Sequence, residues 1–126
     1  MLLQPTSPLR TVEDIINSFI LMEEKNANAV LSVTESEHSP LWCNTIGADL
    51  CMDNFIDERY LGVPRQKLPT FYRLNGALYL LKRDELNKKS MFRDSCYAYI
   101  MPNNRSVDID SELDFKLAEY LLEQGL

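Results

Sequence analysis

The sequence predicts an α/β fold with a mostly parallel sheet. A helical apolar period begins at Val12 and gives way at once to a β-branched run over residues 29–34. A second strand pattern, residues 95–101, leads towards another amphipathic helix that starts after Ser111. Helix and buried-strand patterns that alternate along a chain fold as a sheet crossed by helices.

The first helix is expected to be capped by Thr11, with Asp14 three residues on completing a capping box. Val12, Ile15, Ile16, Phe19 and Ile20 fall on one face of it, and it should end near residues 26–28. Residues 29–34, Ala-Val-Leu-Ser-Val-Thr, read as a short strand buried on both faces. Residues 36–72 are punctuated by Pro40, Gly47, Gly62, Pro64 and Pro69 and read as an excursion from the main sheet. Candidate strands lie there over residues 41–46 and 49–55. Leu41, Trp42, Ile46, Met52, Phe55 and Ile56 suit either a subunit interface or a local hairpin core. Residues 74–81 return to strand character after a turn at Asn75-Gly76. A short helix over residues 83–89 and the strand at 95–101 follow. The last helix is capped by Ser111, carries Leu113, Leu117, Ala118, Leu121 and Leu122 on one face, and ends near Gly125. That face is expected to pack against the core and so to aim the residues ahead of the helix.

With 126 residues the chain makes one domain, and its 45% apolar and 25% charged residues are those of an ordinary globular protein. No apolar stretch suits a membrane span or a signal peptide, so the expected location is cytoplasmic, with no membrane partner. Cys43, Cys51 and Cys96 show no metal-ligand spacing and read as reduced, mostly buried thiols. His38, in a polar stretch, reads as a loop histidine. A net charge of −6 argues against nucleic acid as a partner. Cations nevertheless crowd the second half, and Arg65 and Arg105 are the candidates for meeting phosphates.

The most chemically pointed segment is Asp108-Ile109-Asp110. In an extended backbone alternate side chains share a side, so two carboxylates would converge as a Mg²⁺ site on a nucleotide enzyme requires. Far upstream, Pro5-Thr6-Ser7-Pro8 forms a rigid loop that offers hydroxyls and backbone N–H groups.

Three segments, in order, resemble one family. They are residues 3–10 (Leu-Gln-Pro-Thr-Ser-Pro-Leu-Arg), the run Arg65-Gln66-x-Leu68-Pro69-x-x-Tyr72-Arg73-x-Asn75-Gly76-Ala77-x-Tyr79, and residues 108–114 (Asp-Ile-Asp-Ser-Glu-Leu-Asp). Together they are similar to the acylneuraminate cytidylyltransferases, the CMP-sialic acid synthetases and their relatives acting on legionaminic and other nonulosonic acids. The resemblance implies a Rossmann-like nucleotide-sugar transferase fold and a Mg²⁺-dependent reaction of CTP with an acidic nine-carbon sugar, giving a CMP-sugar and pyrophosphate. It implies that Asp108 and Asp110 hold the metal, and that Gln4, Thr6, Ser7 and Gln66 line the substrate pocket. Asn75 and Tyr79 would hydrogen-bond the sugar. Residues 36–72 would form a small β dimerisation excursion, with Arg65 reaching the sugar of the neighbouring subunit in a homodimer. Without the resemblance, Asn75 equally suits a left-handed turn position, Tyr79 a packed strand site and Arg65 a solvated surface.

Two departures stand out. Trp42 occupies a place where a sialic acid enzyme of this type more often carries lysine, which leans the reading towards legionaminic-type sugars. The family's first strand and its phosphate loop rich in glycine, arginine and lysine precede the Gln-Pro-Thr-Ser-Pro segment, whereas here that segment opens the chain. The expected state is therefore an incomplete fold at the N-terminus, a partial enzyme whose exposed strand edges and apolar helix faces favour oligomerisation. The alternative is a non-catalytic remnant acting as a dimeric interaction module. A CMP-Kdo-like enzyme is a weaker third reading.

Overall fold

The computed structural model describes residues 1–86, 92 and 94–125 and divides the chain into two compact units. The first comprises Met1–Thr34 with Arg73–Leu126, and the second is Glu35–Tyr72.

In the first unit, helix α1 (Val12–Glu24) is followed by strands β1 (Ala29–Glu35), β2 (Tyr72–Leu81) and β3 (Cys96–Ile100), and helix α2 (Glu112–Glu123) closes the chain. Both helices begin as their sequences dictate. Thr11 and Ser111 accept from the backbone of Asp14 and Asp114, whose carboxylates return the bond to the cap, a capping box at each N-terminus. Past α2, Gly125 takes the left-handed conformation (φ +80°) that terminates a helix.

The sheet has the order β2-β1-β3. β1 and β3 run parallel, with Ala29 opposite Cys96 and Val33 opposite Ile100. β2 runs the other way. Lys82 N donates to Asn28 O and Leu78 N donates to Ser32 Oγ, so β2 descends as β1 ascends. On the outer side of β2, Leu2 makes a single antiparallel bridge to Tyr79. The expected mostly parallel sheet is thus a small mixed one. The connection from β1 to β2, residues 36–71, holds only 3₁₀ turns and no α-helix of the kind that usually carries a parallel crossover.

Residues 75–76 are likewise not a hairpin turn but lie inside β2, where Gly76 takes φ +73°. The Ser32 hydroxyl accepts from Leu78 N and donates to Leu78 O beside that irregularity, supplying bonds that a regular ladder would take from the backbone. The core joins Ala27, Val30, Leu78 and Leu80, with Leu3, Ile15 and Tyr99 packed around them.

Neither helix buries the whole of the apolar face that its sequence presents. On α1 the buried residues are Asp14 and Ser18, while Val12, Ile16, Phe19 and Ile20 are exposed. On α2 only Ala118 is buried, and Leu113 stays 75% exposed. The expectation that the apolar stripe of α2 packs on the core holds only at Ala118 and, in part, Leu121; Leu113, Leu117 and Leu122 are exposed. On α1, Ile15 packs on the core beside the buried Asp14 and Ser18.

The second unit contains three 3₁₀ turns, Pro40–Trp42, Glu58–Tyr60 and Arg65–Lys67. The strands expected over 41–46 and 49–55 do not form. Leu50 and Asn54 sit at φ +57° and +58°, and tight turns close Gly47 to Leu50 and Met52 to Phe55, which no strand tolerates. Cys43 and Cys51 are exposed free thiols and Cys96 is half-buried, so the expected burial of the cysteines holds for none of them fully. His38 is exposed, as a loop histidine should be. The short helix expected at 83–89 is a 3₁₀ turn over Arg83–Glu85, and residues 87–89 lie outside the described ones. No helix among the described residues is long and apolar enough to cross a membrane.

Candidate functional site

The opening loop is built by one guanidinium. Arg10 Nη1 donates to the carbonyls of Gln4 (2.7 Å) and Ser7 (2.6 Å), with a longer bond to Ala77 O (3.4 Å). A proline-flanked loop has few backbone partners of its own, and a charged donor at its end satisfies several carbonyls at once. Sequence reasoning passed over Arg10. The signal was its position directly after Pro-Thr-Ser-Pro-Leu.

That loop faces Gly76. A Cβ on Gly76 would lie 2.3 Å from Gln4 Oε1, 3.1 Å from Ser7 Oγ and 3.5 Å from Asp108 Oδ2. Three of the residues nominated from sequence therefore converge on one glycine that leaves room for them. The segment carrying Asp108 is tied to the same loop, since Ile109 N donates to Thr6 O at 2.8 Å.

Asp108 is half-buried, and its Oδ1 is a buried oxygen without a hydrogen-bond partner among the described residues. A buried carboxylate oxygen left bare costs free energy unless a cation or a donor meets it. This is the observation by which Asp108 fits a divalent ion. Asp110 is exposed, and its backbone N–H is tied to Asp114 Oδ2 (3.3 Å). Asp114 itself has its carboxyl held below the usual range, chiefly by the Ser111 hydroxyl. Among the described residues no group of three or more metal-ligating side chains occurs, so an ion here would rest on these two carboxylates with water or substrate oxygens completing its shell.

The remaining nominated residues divide. Ser7 is fully buried, and its hydroxyl donates to Asn75 O (3.1 Å). Asn75 is 1% exposed, with Nδ2 donating to Ser106 Oγ (2.8 Å) and Oδ1 accepting from Ala77 N. Neither side chain presents a free polar atom to a ligand, and both brace the loops that do. Thr6 is exposed and Gln4 half-buried. Tyr79 is half-buried in β2, its backbone paired to Leu2. Arg65 and Gln66 are exposed and belong to the second unit, where Arg65 lines a hollow of about 50 Å³ with Glu35, Ser39 and Phe71.

Arg105, a phosphate candidate from sequence, is committed elsewhere. It grips the buried Asp14 of α1 through Nη2 (2.8 Å) and Nε (3.3 Å).

No family model matches the chain. Among curated proteins it is 30% identical over 125 residues to the post-translational flagellin modification protein B of Campylobacter coli. It is 27% identical over 127 residues to the CMP-N,N'-diacetyllegionaminic acid synthase of Legionella pneumophila, and 34% identical over 119 residues to the N-acylneuraminate cytidylyltransferase of Escherichia coli O18:K1:H7. These matches cover 97%, 98% and 93% of this chain. The chain belongs to the acylneuraminate cytidylyltransferase family. It spans about half the length of the first two relatives (52% and 53%) and 28% of the third. Within this family member, the Asp108-Ile109-Asp110 segment and the Gln4–Ser7 loop are the parts that the structure brings to one place.

Proposed function

We propose that these residues form the metal and sugar side of a cytidylyltransferase of Rossmann-like fold. The reaction joins CTP to an acidic nine-carbon sugar of sialic or legionaminic type. The sugar's anomeric hydroxyl bonds to the α-phosphorus, the bond to the leaving pyrophosphate breaks, and the hydroxyl proton is lost to solvent or a base. The observation that carries this reading is the bare, buried Oδ1 of Asp108, whose other oxygen, like Gln4 Oε1, lies against Gly76.

Asp108 and Asp110 would hold Mg²⁺, which when bound offsets charge on the triphosphate. Gln4, pressed over Gly76, offers an amide to the sugar. Thr6 adds an exposed hydroxyl, while Ser7 and Asn75 serve by fixing the backbone between β2 and the segment after β3. Tyr79 enters as a further contact to the sugar. Arg65 and Gln66 would be delivered to the sugar of a neighbouring subunit in a homodimer, where a guanidinium can bind both carboxylate oxygens. Trp42, together with a relative named for diacetyllegionaminic acid, supports the legionaminic-type branch.

The test is cation binding to the chain itself. Mn²⁺ titrated by electron paramagnetic resonance should bind, and Asp108→Asn should weaken it by on the order of tenfold or more, losses of 10–100-fold being usual even for groups behind the ligands. Equal affinity in the wild type and Asp108→Asn would remove the basis of the reading.

Turnover is a separate matter. These 126 residues contain only four glycines, and no run combines them with lysine and arginine into a triphosphate cradle. Without backbone N–H groups and cations around the β- and γ-phosphates, CTP is held weakly. The chain alone, given CTP, Mg²⁺ and nonulosonic acids, should release negligible pyrophosphate; clear turnover would show that no such cradle is needed.

A further inference from the structure

Asp14 does more than cap a helix. Its side chain is fully buried, yet it accepts five hydrogen bonds from three directions. Thr11 N and Thr11 Oγ1 reach Oδ2 at 2.8 and 3.0 Å, which fixes the start of α1 directly behind the Gln4–Arg10 loop. Tyr99 Oη, on β3, reaches Oδ1 at 3.1 Å. Arg105 closes on both oxygens, from the segment that runs on to Asp108. A carboxylate has about four lone-pair sites, so this one is saturated and has nothing left for a ligand.

The segment after β3 is held at neighbouring residues by three different elements. Asn103 Oδ1 accepts from Thr34 Oγ1 of β1, Arg105 holds Asp14 of α1, and Ser106 Oγ accepts from Asn75 of β2. Two residues beyond Ser106 the chain reaches Asp108, and one further on Ile109 N bonds Thr6 O. The leucine stripe of α2, exposed at Leu113, Leu117 and Leu122, cannot do this aiming.

We propose that Asp14, through Arg105, is a positioning residue that locks the Asp108 segment to the Gln4–Ser7 loop, so that the two halves of the candidate site keep one register. The inference rests on the proposed function for what Asp108 does, but its geometry can be tested apart from it. The joint between the two halves is the Ile109 N–H···O=C Thr6 bond, and amide hydrogen exchange reads local opening of such a bond separately from global unfolding.

In the full 126-residue chain, Asp14→Asn should speed exchange of the Ile109 amide about tenfold, which is ~1.4 kcal/mol of local opening. Amides of the central strand β1 report the accompanying loss of global stability, and the tenfold at Ile109 is counted beyond the factor that they show. Arg105→Lys keeps the charge but gives up the paired geometry, and should give a smaller loss at the same amide. It serves as the deciding variant if Asp14→Asn does not fold. Exchange at Ile109 that stays unchanged, or that rises only in step with β1, would overturn the proposal and leave Asp14 a plain core carboxylate. Mn²⁺ affinity separates the two ideas. A wild-type chain that binds no Mn²⁺ sinks the metal reading, while the exchange result still decides the positioning one.

Discussion

Replacing Arg105 by alanine should cost about 3–5 kcal/mol, the penalty for leaving one partner of a buried ion pair alone. Asp14 has no exposure, so water cannot take over the lost bonds, whereas the Arg105 side chain is 28% exposed and gives up less on its own account. Domains of this size have roughly 5–15 kcal/mol in total, so the loss would be plain in urea denaturation. A change below about 1 kcal/mol would mean that Asp14 finds another donor.

The same pair sets an acid limb. Burial pushes the Asp14 carboxyl up, but the Arg105 bonds, the Thr11 bonds and the Arg105 charge outweigh it, and the net value lies below the ordinary one. The native chain therefore takes up this proton less readily than the unfolded chain, whose aspartates titrate near pH ~3.9. The stabilisation is complete above that pH and is lost as the pH falls through the native value. Asp14→Asn should flatten this part of the stability profile, an effect readable from melting between about pH 2.5 and 6. A wild-type limb that survives in Asp14→Asn belongs to other carboxylates.

Much of this fold was legible in local chemistry. Thr11 with Asp14 and Ser111 with Asp114 are short-range signals, and both helices start where those signals stand. β1 was legible because residues 29–34 are β-branched and apolar with no competing period. What local reading missed depends on partners far along the chain. Asp14 looks like a cap, and nothing nearby announces Arg105, 91 residues on, or Tyr99. The apolar stripe of α2 was read as core because a period states which residues share a face, not what covers the face. Leu50 and Asn54 adopt left-handed backbone in a segment whose composition suggested strands. In the candidate site, what the sequence does not show is how each polar atom is spent. Asn75 and Ser7 lie at Gly76, and their polar atoms are bonded to Ser106, Ala77 and the backbone.

Gly76→Ala should separate the proposed sugar side of the candidate site from its proposed metal side. Two effects act on stability. A non-glycine residue at φ +73° costs about 1–2 kcal/mol from contact of Cβ with the backbone. The new methyl also lands 2.3 Å from Gln4 Oε1 and 3.1 Å from Ser7 Oγ. Gln4 is a long side chain and can swing away, but Ser7 is buried and bonded to Asn75 O, so it yields only by straining that bond. The sum, about 2–3 kcal/mol with a Ser7–Asn75 bond weakened by about 1, should lower the melting temperature by on the order of 10 °C. Asp108 Oδ2, at 3.5 Å, is in ordinary van der Waals contact and need not move. Mn²⁺ affinity should therefore stay within about twofold of wild type, since the carboxylates proposed to hold the ion are untouched. Binding of a nonulosonic acid, measured by calorimetry, should be lost with the displaced Gln4. Loss of both together would mean that Gly76 holds Asp108 as well. Retention of sugar binding with Gln4 displaced would take the glutamine out of the proposed site.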